Sequence, residues 1–206
     1  MQRFVVHPTH PQARLVRQAT ALIRGGGLVA YPTDSCYALG CALDAYEATD
    51  RLRALRGIDG RHPLAIACAD LAAAGRYARL DNWQFRVVRR GVPGPYTFLV
   101  PATRDVPRRL RQARRQTIGL RVPSDPIALA LLVELGAPML SSSLVPAGAA
   151  APPGDPDEIA DALQGRLEAM VDGGPRPSEP STVVDLTEPP GRIVRVGRGD
   201  PAALGL

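Results

Sequence analysis

The chain contains no lysine: all 25 of its basic residues are arginine. A bias of that kind most simply reflects a GC-rich genome. Aromatic side chains are scarce too, with one Trp, five Tyr and three Phe, and they do not interleave the arginines. That excludes a stacking platform for single-stranded nucleic acid. Three cysteines, Cys36, Cys41 and Cys68, form no CxxC pair, so neither a disulfide framework nor a zinc site is expected and they read as small buried hydrophobes. The three histidines, His7, His10 and His62, lack metal-ligand spacing, and no Ser-His-Asp arrangement or Walker or Rossmann glycine loop is present. No apolar stretch approaches the roughly 18 residues that span a bilayer. The N-terminal MQRFVVHPTH lacks the apolar region of a signal peptide, and the expected location is cytoplasmic, away from membranes.

What is present is ordinary globular composition, 45% hydrophobic and 22% charged over 206 residues, which favours one domain spanning residues 1–206. Net charge is +5, with a dense run RRLRQARRQT at Arg108 to Thr117. Such a run serves either as a solvated face or as a patch for the phosphates of a nucleotide or RNA.

Along the chain, helical and strand patterns alternate. FVVH, GLVAYP, YALGCAL, LAIACA, PGPYTFLVPA, QTIGLRVP, PMLSSSLV, LEAMVDGG, STVVDLT and GRIVRVG read as strands, QTIGLRVP by its period-2 alternation. HPQARLVRQATALIRGGG, AYEATDRLRALRG, DNWQFRVVRRG, SDPIALALLVELG and DPDEIADALQG read as helices. The glycines of GGG follow a helix rather than precede one, which makes them a helix stop. Expected N-caps are Asp44 with Glu47, Asp81 with Gln84, Ser124 or Asp125 before Pro126, and Asp155 before Pro156. PAGAAAPPGD is a surface loop. Alternating elements followed by a strand-rich tail point to an α/β domain with a mixed sheet.

Four hydroxyl-bearing clusters stand at predicted strand ends: Pro32-Thr33-Asp34-Ser35, Pro93 to Thr97, Ser141-Ser142-Ser143 and Pro180-Ser181-Thr182. In open α/β sheets ligands bind at strand ends, so four such clusters suggest a shared cleft, with Thr33 expected at the tip of its turn. Arg56 closes the second helix, Arg121 ends QTIGLR and Arg195 lies in the last strand. Each guanidinium is suited to bidentate contact with a carboxylate or phosphate.

The motifs YPTDSCYALGC, PGPYTFLV, IGLRVPSDPIA, MLSSSL and PSTVVDLT, in that order, resemble the YrdC/YciO family. HPTHPQARLVRQA and RRLRQARRQTIGLRVPSDPIA resemble its YciO-like branch. The resemblance implies a single-domain YrdC-like fold: a twisted mixed sheet of parallel and antiparallel strands, flanking helices and a concave basic cleft. Members of the family that are threonylcarbamoyl-AMP synthases combine L-threonine, bicarbonate and ATP, release pyrophosphate, and supply tRNA modification. The carbamate of threonine attacks the α-phosphorus, so positioning anions and offsetting their charge is the main task. By resemblance, Thr33, Arg121 and Ser181 would hold the threonine-like substrate. Thr97 would lie near the base, Ser141 and Ser143 would meet phosphates, and Arg56 and Arg195 would complete the nucleotide site. Magnesium would arrive with ATP, held largely by phosphates and water.

The chain also departs from the synthase pattern. Where synthases carry a lysine, an arginine two residues later and a Ser-x-Asn, this sequence has Arg56, Ile58, Ser143 and Val145. A hydrogen bond to a charged group contributes about 1.5 to 3 kcal/mol, so losing two weakens triphosphate binding or rate by roughly 10² to 10⁴ unless compensated. Arg61 and the arginines of 108 to 115 are the candidates for compensation. Two functions therefore stand open: a synthase-type enzyme of weakened or altered activity, or a double-stranded RNA or tRNA-binding protein without turnover.

Overall fold

A computed structural model describes residues 1–60, 62–112 and 115–206. Ten strands join one mixed sheet: β1 (Gln2–Val5), β2 (Val29–Tyr31), β3 (Ala38–Ala42), β4 (Ala65–Ala67), β5 (Tyr96–Pro101), β6 (Thr117–Arg121), β7 (Met139–Ser143), β8 (Ala169–Asp172), β9 (Thr182–Asp185) and β10 (Arg192–Arg195). Their spatial order is β1-β8-β2-β3-β7-β4-β6-β5-β9-β10. Pairs β1/β8, β2/β8, β4/β6 and β5/β9 run parallel, and the other neighbours run antiparallel.

The helices are α1 (Ala13–Arg24), α2 (Tyr46–Arg56), a single turn α3 (Leu71–Ala74), α4 (Asn82–Gly91), α5 (Pro126–Leu135) and α6 (Pro156–Ala162). Their starts follow local chemistry. Asp81 and Gln84 form a reciprocal capping box at α4, Asp125 accepts from the amides of Ile127 and Ala128 at α5, and Asp155 accepts from Asp157 at α6. α2 departs from expectation. Its cap position is Ala45, without a side-chain cap, so Asp44 lies one residue too early to receive the free amides. Gly57 ends this helix in the left-handed region, at φ 61°, where a side chain would be strained. The arginine run is not one helix among the described residues: a 3-10 turn covers only Arg108–Leu110. No helix of the described residues is long and apolar enough to cross a membrane.

Period-2 alternation sorts side chains to two faces. On one face Leu52 and Leu55 of α2, Val87 and Val88 of α4 and Ile159 of α6 pack on Leu39, Ile66, Phe98, Ile118, Leu120 and Leu140. On the other, Val16, Ala19 and Ile23 of α1 and Ile127, Leu131 and Leu132 of α5 pack on Phe4, Val29, Tyr31, Ala38, Met139 and Val171. These two helices cover the β1-β8-β2-β3 half. On the same face, residues of β4, β5, β6, β7 and β9 line an open cleft instead. β6 is buried along its whole length, so its alternation is between core and cleft rather than between core and water.

Candidate anion-binding cleft

The cleft has a volume of about 330 Å³. Its floor is made of small or apolar groups, Ala65, Leu99, Gly119 and Val183, with Val194 at the side. Gly119 is required there: a Cβ would lie 3.0 Å from Ala65 on the neighbouring strand. Polar groups enter from the strand ends. Of the residues expected to form a site, Arg56, Thr97, Arg121, Ser141, Ser143, Ser181 and Arg195 all line this cleft.

Thr33 does not. It is 1% exposed, and its hydroxyl is engaged inside its own turn, donating to the Cys36 carbonyl at 2.7 Å and accepting from the Ser35 amide at 3.2 Å. The expectation that the turn displays Thr33 at its tip is therefore corrected. Pro32 ends the strand, and the turn folds its hydroxyl inward, behind Arg121.

Arg121 is the centre of one end of the cleft. Its Nη2 donates to Thr33 Oγ1 at 3.1 Å, to Ser35 Oγ at 2.8 Å and to the Asp34 carboxylate. Asp34 in turn accepts from the amide and hydroxyl of Ser124 at 2.7 and 3.0 Å. Both charged side chains are nearly buried, at 4% and 9% exposure, so this is an ion pair removed from water. All three bonds are made by Nη2, and Arg121 Nε is buried without a partner. Beside it Thr97 Oγ1 and Ser181 Oγ lie 2.8 Å apart, and Tyr31 Oη lies 2.7 Å from Ser141 Oγ. Burial raises the Tyr31 phenol above its usual range, which keeps it a neutral hydrogen-bonding group.

The other end holds Arg56 and Arg195. Arg56 Nη1 donates to Ser142 Oγ at 2.6 Å, and its Nε is buried without a partner. Arg195 donates from Nε and Nη2 to the Ser181 carbonyl at 3.2 and 2.8 Å. Among the described residues neither arginine meets a carboxylate. Burial lowers both guanidinium pKa values, and the charge of Arg195 lowers that of Arg56 further. Two cations thus face one space with no protein anion between them. At the mouth stands His62, whose pKa is lowered by desolvation and then by Arg56, Arg53 and Arg195. Ile58 packs at the margin of the core, and Val145 lines a separate recess.

Sequence reasoning placed Asp34 and Ser142 in two of the strand-end clusters without assigning them partners, and it missed His62. Asp34 and Arg121 are 87 residues apart, so no spacing joins them. Ser142 lines the cleft between Ser141 and Ser143 and accepts from Arg56 Nη1. Arg61 and Arg114, two of the candidates for compensating charge, lie outside the described residues.

Fold and site together define a one-sheet α/β protein with a cleft lined by Arg56, Arg121 and Arg195. A family model described as "Telomere recombination", and named for Sua5, YciO and YrdC, matches residues 21–197. The chain belongs to this Sua5/YciO/YrdC family. It is similar to the crystal structure of Escherichia coli YciO, with 44% identity, 98% of each chain covered and a TM-score of 0.96. It is 36% identical to a threonylcarbamoyl-AMP synthase of Chromobacterium violaceum, over 91% of this chain and 96% of that one. It is also similar to Pyrococcus abyssi Sua5 complexed with L-threonine, at 30% identity and a TM-score of 0.86, over 96% of this chain and 58% of that one.

Proposed function

We propose that the cleft binds an adenosine nucleotide together with a small, threonine-like carboxylate, and that the protein is a slow synthase of the threonylcarbamoyl-AMP type. Threonine and bicarbonate condense to a carbamate with loss of water. A carbamate oxygen then attacks the α-phosphorus of ATP, and the bond to pyrophosphate breaks. The observation that carries this reading is the pair Arg56 and Arg195, two cations without a carboxylate, beside the internally balanced Arg121. An anionic ligand restores neutrality at the first end and meets Arg121, Ser181 and Thr97 at the second. Thr33 acts behind Arg121, as a positioning residue.

Chemistry of this kind asks the protein for charge and position rather than for a nucleophile. Ser143 and Ser141 add hydroxyls on the phosphate side. The apolar Leu99, Val183 and Val194 offer a surface for a base. Among the described residues no group of three or more His, Cys, Asp or Glu side chains is placed to hold a metal, and Asp34 is engaged by Arg121 and Ser124. Magnesium belongs to the substrate in this reading, carried on the triphosphate with water.

Incubation with labelled threonine, bicarbonate, ATP and magnesium should yield pyrophosphate and a threonylcarbamoyl adenylate. Arg56→Gln or Arg195→Gln should each lower kcat/KM by roughly 10- to 100-fold, the equivalent of one charged hydrogen bond. Product no greater than in these variants would end the reading. Binding of double-stranded RNA or tRNA draws no comparable support from the arginine run. Arg109 lies over the Tyr46 ring and pairs with Asp50, Arg111 donates to the carbonyls of Val106 and Arg104, and Arg115 pairs with Asp185.

A further inference from the structure

Beyond Arg56 lies a second, smaller cavity of about 90 Å³. It forms where the end of α2, the segment after β7 and the turn following α6 come together. Of the nine residues that line it, seven are hydrocarbon and two are arginine, Arg56 and Arg166. Leu39, Leu55, Leu144 and Leu163 are core side chains, each no more than 7% exposed, so these walls are set by the fold and not by surface groups. Val145 is half-buried beside them. Arg56 is shared with the cleft, whereas Arg166 is exposed and its amide donates to the Leu163 carbonyl at 2.9 Å, inside the turn. Among the described residues neither guanidinium pairs with a carboxylate.

Hydrocarbon walls with two uncompensated guanidinium groups match a ligand that is apolar at one end and anionic at the other. Inorganic phosphate carries oxygen on every side and gains nothing from such walls. A carboxylate confines its charge to one end and fits the fork of a guanidinium. The space is about that of three water molecules in the liquid, which suits a short branched alkyl group. We infer that this recess is a second ligand site, for a branched aliphatic carboxylate of about five carbons, with its hydrocarbon end among the leucines and its carboxylate between Arg56 and Arg166. The site stands apart from the nucleotide reading, although it shares Arg56 with the cleft.

Amide NMR spectra of the full chain, titrated with isovalerate, acetate and 3-methylbutan-1-ol, test this. Isovalerate should shift the amides of Val145 and of Ala162 to Arg166 and saturate in the millimolar range. Each buried methylene is worth about fourfold in affinity, so acetate, shorter by three carbons, should bind at least about tenfold more weakly. The alcohol keeps the hydrocarbon but lacks the charge, and it too should bind at least about tenfold more weakly. Arg166→Gln removes one cation and Val145→Asn puts an amide into the wall, and each should weaken isovalerate by about fivefold or more. Neither residue is fully buried, and an unchanged dispersion of the remaining amide signals shows that each variant is folded. Any of four results would overturn the inference: no saturable shift by about 50 mM isovalerate, acetate or the alcohol binding as tightly as isovalerate, unchanged affinity in Arg166→Gln, or shifts confined to Thr97, Ser141 and Ser181 of the cleft.

Discussion

The two ends of the cleft use the same side chain in opposite ways. Arg121 is buried with its charge balanced inside the protein by Asp34 and its Nη2 bonded to two hydroxyls. Arg56 and Arg195 are held by neutral oxygens only, while an unpartnered buried Nε is common to Arg56 and Arg121. The first end is complete in charge within the protein. The second end carries two cations that no carboxylate of the described residues faces. A cation therefore contributes to stability or to affinity according to whether a carboxylate faces it.

Replacing Arg121 should give the largest effect. Arg121→Ala leaves Asp34 buried and unpaired, and breaking such a pair costs about 3 to 5 kcal/mol. Urea denaturation should show a lower midpoint of that size, and a joint Arg121→Met, Asp34→Leu change should recover much of it, because replacing a buried pair by apolar groups is far less costly than breaking it. A loss under about 1 kcal/mol for Arg121→Ala would mean that the two ends do not differ in this way.

At the other end the sign should change. Arg56→Met removes an orphaned donor and the repulsion from Arg195, at the loss of one bond to Ser142. Stability without ligand should stay level or rise by up to about 1 kcal/mol, while the thermal shift produced by AMP should largely vanish. A clear loss of stability without ligand would show that Arg56 is structural, as Arg121 is.

The smallest effect belongs to His62. Its folded pKa is lowered, so the native state binds fewer protons than the unfolded chain once pH falls into the ordinary histidine range. Its contribution is thus constant above about pH 6.5 and is lost as pH drops below that value toward the lowered one. Thermal midpoints between about pH 7.5 and 5.5 should decline slightly more steeply in the parent than in His62→Gln, since the exposed ring keeps the effect shallow.

Much of this molecule was legible in its sequence because the signals are local. Asp81 and Gln84, Asp125 and Pro126, and Asp155 and Pro156 each announce a helix start through bonds that close within three residues. The ten strands follow from short apolar runs bounded by Gly, Pro and Ser. The hydroxyl clusters could be assigned to strand ends for the same reason. What escaped the sequence depends on distance or on direction. Asp34 acquires its meaning only from Arg121, Ser142 only from the reach of Arg56, and Thr33 points inward because its oxygen is taken by the carbonyl of Cys36. Asp44 missed its helix by a single residue, a margin that residue type alone does not set.

The strand order also governs when the cleft comes into being. β1 pairs with β8, and Arg121 reaches Thr33 across 88 residues of chain, so the native contacts close long loops before they are rewarded. No early-folding segment carries even half of the cleft lining. A molecule that binds the cleft would therefore recognise only finished molecules and withdraw them from the unfolded pool, raising apparent stability by mass action.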